Sequence, residues 1–209
     1  MITSREQLLQ LYEPPAERAL LKQQWELDRH CLRFIALSPF LVMATGGAGG
    51  TLLDASPRGG KPGFVKAPDA NTLLIPDAGG NNRLDSLSNL LDDPRLGLLF
   101  FVPGFDETLR VNGTAQLRDE AHYTALFASD HFRPKLVIEV RVQEAYLHCA
   151  KALMRSRLWS EEARVALNVM PTLNQIIHAQ MGLTAQPESQ ESMVARYGAM
   201  IAAEQIKKN

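Results

Sequence analysis

Cysteine is scarce in this sequence of 209 residues, and the two that occur, Cys31 and Cys149, lie far apart. Neither belongs to a Cys-x-x-Cys pair, so the sequence offers neither a disulfide framework nor a metal site. Long hydrophobic runs are also missing, since none approaches the roughly 18 apolar residues that a membrane helix needs. Residues 1–24 are charged throughout and lack the apolar centre of a signal peptide. We therefore expect a cytoplasmic protein that does not contact a membrane.

Charge of one sign is not in excess either. The chain has 22 Lys and Arg against 23 Asp and Glu, a formal net charge of −1. This balance excludes the basic field that attracts nucleic acids, so any anion must bind at a local site. Hydrophobic residues make up 45% of the chain and charged residues 22%, which is ordinary for a globular protein with one core.

Hydrophobic periodicity predicts helices at both ends of the chain and strands between them. Helices are predicted at 16–27 and 28–36, after a short segment that Ser4 caps, and again in the C-terminal part. The predicted strands are 40–44, 51–54, 63–66, 72–75, 96–102, 109–117 and 135–147. A helix over 83–91 lies between the fourth and fifth strands. Because strands and helices do not alternate, an antiparallel barrel is favoured over a doubly wound parallel sheet.

Two glycine-rich segments invite a nucleotide-binding interpretation. A P-loop needs a glycine five positions before the glycine of its Gly-Lys pair, but Ala55 holds that place ahead of Gly60 and Lys61. Residues 46–50 lie between two predicted strands, whereas a dinucleotide fingerprint lies between a strand and a helix. We interpret 46–50 as a hairpin and exclude a P-loop.

Basic and hydroxyl side chains on two segments suggest a phosphate site. Ser56 and Arg58 are two residues apart on a proline-stiffened turn, and the planar fork of arginine suits a phosphate. Asn82 and Arg83 fall at the entrance of the predicted helix, where free N–H groups favour an anion. Together with Lys66 these side chains would form one phosphate clamp. The alternatives are a solvated turn and an asparagine that only caps the helix.

Seven short motifs follow one another along the chain. They are Leu41-Val-Met-Ala-Thr45, Ser56-Pro-Arg-Gly59, Gly63-Phe-Val-Lys66, Asn81-Asn-Arg-Leu-Asp-Ser86, Asp93-Pro-Arg-Leu-Gly-Leu-Leu-Phe100, Leu109-Arg-Val-Asn-Gly-Thr-Ala115 and Cys149-Ala-Lys-Ala-Leu-Met-Arg-Ser-Arg-Leu-Trp159. In this order they resemble the FMN-binding family of pyridoxamine 5′-phosphate oxidase-like proteins, and more narrowly a branch described only as FMN-dependent proteins. The resemblance spans residues 39–159.

The resemblance implies a mainly-β fold with flanking helices, in which an antiparallel split β-barrel (39–159) binds FMN at the interface of a homodimer. N-terminal helices (1–38) precede the barrel, and C-terminal helices (160–209) would pack on the barrel or the dimer. The phosphate ligands implied by motif position are Ser56, Arg58, Lys66, Asn82 and Arg83. The other implied cofactor residues are Phe64, Val65, Pro76 and Asp77 along the ribityl chain and ring, Thr108 and Arg110 approaching from the partner subunit, and Lys151, Arg155 and Trp159 covering the ring.

One departure from the family bears on the substrate. Pyridoxamine-phosphate oxidases end in an arginine-rich strand that grips the substrate phosphate, whereas this chain is helical and partly acidic after Trp159. FMN binding is compatible with this difference, but pyridoxamine phosphate does not follow as the substrate. The resemblance implies an FMN-dependent oxidoreductase of unknown substrate, with no catalytic residue assigned. The alternative is a flavin or tetrapyrrole carrier on the same fold, without turnover.

Two further side chains have both a structural and a functional interpretation. His148 and Cys149 end the last predicted strand and could lie near a flavin, but adjacent strand residues point to opposite faces and do not make a metal site, so a structural role is favoured. Trp159 has a large aromatic face that suits either a flavin ring or ordinary packing. The sequence offers no Ser-His-Asp or Cys-His grouping for acyl or phosphate transfer.

Overall fold

The chain forms a seven-stranded antiparallel sheet with helices before, within and after it. The computed structural model describes residues 1–48, 52–130 and 134–204. The strands are β1 (Phe40–Thr45), β2 (Asp54–Gly59), β3 (Lys66–Asp69), β4 (Thr72–Pro76), β5 (Arg95–Phe101), β6 (Thr108–Arg118) and β7 (Val137–His148). They pair in the order β2-β1-β5-β6-β7-β4-β3. Every neighbouring pair is antiparallel.

Eight α-helices are found in the described residues. They are α1 (Arg5–Leu9), α2 (Glu17–Leu21), α3 (Arg29–Leu37), α4 (Asp85–Asp92), α5 (Ala121–Ala125), α6 (Lys151–Ser156), α7 (Leu173–Met181) and α8 (Gln190–Ala203). Helix α4 connects β4 to β5, at the place where the sequence predicts an inserted helix. Across the described parts of the chain, we find no helix with the length and apolar character needed to cross a bilayer.

The sheet is split between its two edge strands. β2 and β3 stand at opposite ends of the strand order, and within the described residues no backbone pairing closes the sheet. One side-chain contact spans the split, because Arg58 of β2 reaches Asp77, the residue after β4, which is the neighbour of β3. One core joins inward side chains from the central strands, among them Leu41, Leu73, Leu98, Val111 and Ile138. The antiparallel split-barrel fold class that the sequence predicts is therefore confirmed.

A β-bulge changes which residues of β7 face the core. Asn112 of β6 pairs with Glu144, but the next residue, Gly113, pairs with Val142, so Gln143 is the extra residue. Val142 is buried before the bulge and Ala145 after it. The bulge therefore shifts the alternation by one residue, and places Glu144, Tyr146 and His148 together on the outer face.

Three local predictions differ from the structure. Residues 54–59, predicted as a turn, form the edge strand β2, which tolerates Pro57 because an edge strand pairs on one side only. Residues 63–65 precede β3 instead of belonging to it. The helix predicted at 16–27 ends at Leu21, and Gln24 then pairs with Ala145 of β7. The predicted hairpin at 46–50 and the start of the predicted strand 51–54 extend into 49–51, which lie outside the described residues.

Candidate functional site

One face of β2 carries three polar side chains in alternate positions. Asp54, Ser56 and Arg58 are half-buried, while Ala55 and Pro57 between them are exposed. A strand turns alternate residues to the same side, so the predicted pairing of Ser56 with Arg58 holds although the turn does not. β2 is an edge strand, and Arg58 on this face reaches Asp77 across the split.

Asp54 connects β2 to the start of helix α4. Its Oδ2 atom accepts hydrogen bonds from Ser56 Oγ, at 2.8 Å, and from Ser86 Oγ in the first turn of α4. The residue before α4 is Leu84, and no described side chain caps the helix there. The first N–H groups of a helix have no intrahelical partner, so this end of α4 offers donors close to the β2 face. Sequence reasoning missed Asp54 and Ser86, whose contact joins residues 32 positions apart.

Arg58 lies across the split. Its Nη1 atom is 3.2 Å from Asp77 Oδ1. Its Nε atom is buried and has no hydrogen-bond partner among the described residues. Burial raises the pKa of the Asp77 carboxyl, and the positive charges of Arg58 and Lys135 oppose that rise. Lys135 is a second cation of this region that the sequence did not single out.

Lys66 and Arg83 each contact a different aspartate. Lys66 Nζ is 2.6 Å from Asp130 Oδ2 and lies 5.2 Å from the centre of the Phe127 ring. Arg83 Nη2 is 2.8 Å from Asp85 Oδ2, and its side chain is 76% exposed. Arg58 pairs with Asp77, so each of the three cations of the expected clamp forms an ion pair with a different aspartate. No direct contact among the described residues joins one of these cations to another.

The remaining residues expected near the phosphate and ribityl chain lie before β3, at the end of β4 and before α4. Val65 and Pro76 are buried, Phe64 is half-buried, and the last two residues of β4 lead directly to Asp77. Asn82 has a positive φ of 57°, and Asn81 Oδ1 accepts from the backbone N–H of Arg83. Asn82 therefore lies in a turn before Leu84 and does not cap α4.

Thr108 and Arg110 lie at the beginning of β6. Thr108 is buried and pairs with His148, and Arg110 pairs with Tyr146. Arg110 Nη1 donates to Tyr146 Oη at 3.1 Å. In the described part of the chain no hydrogen bond or ion pair joins these side chains to the β2 face.

The residues expected to cover the ring follow β7. Lys151 and Arg155 are exposed on α6, a helix of six residues. Trp159 is half-buried, and its Nε1–H donates to the carbonyl oxygen of Phe105, in the turn between β5 and β6, at 2.8 Å. This contact fixes the indole plane against that turn.

Comparison with known proteins gives one family and several similar structures. Residues 27–149 match the family model described as pyridoxamine 5′-phosphate oxidase. No curated protein matches the sequence significantly.

Among solved structures, HupZ of Group A Streptococcus is 17% identical, covering 58% of this chain and 93% of its own, with a TM-score of 0.47. An FMN-binding protein from Syntrophomonas wolfei is 11% identical, covering 69% and 94%, with a TM-score of 0.43. An FAD binding protein from Mycobacterium smegmatis is 11% identical, covering 60% and 97%, with a TM-score of 0.42.

Proposed function

The chain belongs to the pyridoxamine 5′-phosphate oxidase family, and from that premise we propose that it is an FMN-binding flavoprotein and an oxidoreductase. The family match covers more than half of the chain and includes β1 to β7. Pyridoxamine phosphate is not the substrate we propose, because the described chain after residue 160 contains the helices α7 and α8 and no strand. The substrate and the electron donor stay open in this proposal.

The main observation that supports the proposal is the buried Nε atom of Arg58, which has no hydrogen-bond partner among the described residues. A buried donor without a partner costs free energy, and a phosphate oxygen is an acceptor that would satisfy it. The N–H groups at the free end of α4 lie beside β2, because the Ser56 and Ser86 hydroxyls both donate to Asp54, and an anion that displaces Asp54 would accept from all of these donors. These donors suit the dianionic phosphate of FMN, and they favour FMN over riboflavin.

An opposing charge is also present. Asp54 and Asp77 place carboxylates beside these donors, and the negative charge of a carboxylate repels a phosphate. Burial raises the pKa of Asp77, which lowers the cost of protonating it when an anion binds. We propose that the FMN phosphate replaces Asp77 as the partner of Arg58. In the same way it would replace Asp130 at Lys66 and Asp85 at Arg83.

Bound FMN would supply the redox chemistry, and the protein would position the flavin and exclude water from it. Val65, Pro76 and the backbone that follows β4 would line the ribityl chain and ring. Trp159, Lys151 and Arg155 would cover the ring from the C-terminal side, and Trp159 is already held by Phe105. We assign no catalytic acid or base.

We propose further that two copies form a homodimer, with Thr108 and Arg110 completing the pocket of the other copy. Dimerisation is supported by the exposed apolar side chains of the N- and C-terminal segments, among them Leu9, Leu21, Leu167 and Met170. A cytoplasmic location is proposed because Cys31 and Cys149 are both free thiols.

The test is to purify the protein, record its visible spectrum and identify the released cofactor by mass. We expect stoichiometric FMN, or uptake of added FMN with much weaker binding of riboflavin. Equal affinity for the two flavins would contradict the phosphate site. Reduction of the bound flavin by a nicotinamide donor, followed by reoxidation faster than that of free flavin, would support turnover. A bound flavin that does neither would favour the carrier alternative.

A further inference from the structure

Two cations converge on one tyrosine at the outer face of β6 and β7. Lys22 Nζ lies 5.1 Å from the centre of the Tyr146 ring and donates to the carbonyl oxygen of Leu147 at 2.7 Å. The Arg110 guanidinium carbon lies 5.7 Å from the same ring centre, and Nη1 donates to the Tyr146 hydroxyl. The Tyr146 hydroxyl accepts this bond, so its own proton is free to be donated.

These cations differ from Arg58, Lys66 and Arg83 in having no aspartate or glutamate partner. In the described chain neither Lys22 nor Arg110 forms an ion pair. Glu144 lies on the same outer face, but its oxygens accept from the amides of Gln23, at 2.8 Å, and Asn112, at 3.2 Å. The two positive charges are therefore only partly compensated by the protein.

His148 adds an unsatisfied polar atom to the same group. Its ring centre lies 5.0 Å from that of Tyr146, and His148 follows Tyr146 by two residues on β7, opposite Thr108. Its Nε2 atom is buried and has no hydrogen-bond partner among the described residues. Burial, Arg110 and Lys22 lower the pKa of His148, so the ring is held neutral beside the two cations.

We propose that Lys22, Arg110, Tyr146 and His148 bind the oxyanion, a carboxylate or a phosphate, of the small molecule that reacts with the flavin. Lys22 and Arg110 supply the positive charge, and the Tyr146 hydroxyl and His148 Nε2 supply hydrogen bonds. The identity of that molecule as the reaction partner of a flavin rests on the proposed function, but the anion site itself does not. The site is additional to the phosphate donors around Arg58.

The experiment uses inorganic phosphate as the probe and the imidazole Cε1–H signal of His148 as the readout. The signal is assigned by its loss in His148→Gln and followed by NMR during a phosphate titration of the FMN-loaded protein. We expect a saturable shift. Lys22→Gln and Arg110→Gln should each weaken phosphate binding roughly tenfold, which is the effect of losing one charge-assisted hydrogen bond.

Matched controls and a flavin-free arm separate the possible explanations. Arg18→Gln and Arg141→Gln remove exposed cations outside the cluster and should leave the titration unchanged. A shift that does not saturate, or that survives both Lys22→Gln and Arg110→Gln, would overturn the proposal. So would a response of the flavin-free protein that saturating FMN abolishes, because the site would then hold the phosphate of the flavin. If no flavin binds, the proposed function fails, and the titration of flavin-free protein still decides the anion site.

Discussion

Arg58 and Arg83 differ in how far their guanidinium groups are removed from water. The side chain of Arg58 is 21% exposed and its Nε is buried, whereas the side chain of Arg83 is 76% exposed beside Asp85. Electrostatic interactions are stronger where the surroundings are less polarisable, and exposed ion pairs contribute little. If both arginines contact the FMN phosphate, Arg58 should contribute more of the binding free energy.

Arg58→Gln should weaken FMN binding by about one to two orders of magnitude. A charge-assisted hydrogen bond contributes roughly 1.5–3 kcal/mol, and about 1.4 kcal/mol corresponds to a factor of ten. Arg83→Gln should have a smaller effect, because its side chain is mostly solvated. Fluorescence titrations with FMN and with riboflavin measure both variants, and riboflavin affinity should stay unchanged. A loss of affinity for both flavins in Arg58→Gln would indicate damage to the fold and not to a phosphate site.

His148 should titrate at a higher pH when a neighbouring cation is removed. Burial is the largest cause that lowers its pKa from the ordinary 6.5, followed by the charges of Arg110 and Lys22. Arg110→Gln should therefore raise the pKa of His148 toward 6.5, as an NMR pH titration would record. The folded state prefers the neutral ring, so its contribution to stability is fully present above pH 6.5 and is lost as the pH falls from 6.5 to the lowered pKa of the folded protein. Wild-type protein that does not lose stability relative to His148→Gln below pH 6.5 would contradict this assignment.

Gly113 is required where β6 meets the bulge of β7. A Cβ atom at this position would lie 2.1 Å from the carbonyl oxygen of Arg141, and backbone cannot yield as a flexible side chain does. Gly113→Ala should lower the free energy of unfolding by roughly 1–3 kcal/mol. Gly198→Ala in α8 is the matched control, because beyond its chain neighbours and the nearby helix backbone no described atom lies within 4 Å of the added Cβ. That change should raise stability by about 0.5–1 kcal/mol. Denaturant unfolding of both variants measures the contrast, and a fully stable Gly113→Ala would refute the close packing.

The strands β5, β6 and β7 could be predicted because their own residues carry the signal. β6 and β7 alternate apolar and polar side chains, β5 is an almost continuous apolar run, and all three strands pair on both sides. β2 could not be predicted in this way, since Pro57 and Gly59 are typical of turns and the strand is formed by pairing with β1 alone. The end of α2 at Leu21 likewise depends on a distant partner, because Gln24 pairs with Ala145.

The candidate site shows the same limit. The basic residues could be named from motifs, but their present partners could not. Asp77 and Asp130 reach Arg58 and Lys66 only through tertiary contacts, and Lys22 meets Tyr146 from the other end of the chain. No local pattern encodes contacts over such separations, so the sequence could name the basic residues but could not predict the ion pairs that Arg58 and Lys66 form.

At the scale of the whole molecule, apolar surface is concentrated outside the sheet. The most exposed large apolar side chains of the described C-terminal segment are Val165, Leu167, Val169, Met170 and Met181. A folded monomer rarely leaves such side chains together in water. Since Thr108, Arg110 and the segment from Lys151 to Trp159 are proposed to complete the flavin pocket, a second copy that covers this surface would couple dimerisation to flavin binding.

The double variant Leu167→Glu, Val169→Glu should therefore weaken both the dimer and FMN binding. Leu167 is 94% exposed in the single chain, so a glutamate there costs the monomer little, but burying its charge in an interface is unfavourable. Sedimentation velocity at several protein concentrations, with and without FMN, measures the dimer, and FMN titrations at the same concentrations measure affinity. Leu52→Glu is the control, because Leu52 is 92% exposed and lies before β2, away from the C-terminal segment in the sequence. Because linkage is reciprocal, FMN should also shift the variant back toward dimer. A monomer that holds FMN as tightly as the dimer would show that one chain contains the whole site, and would remove Thr108 and Arg110 from the pocket of the other copy.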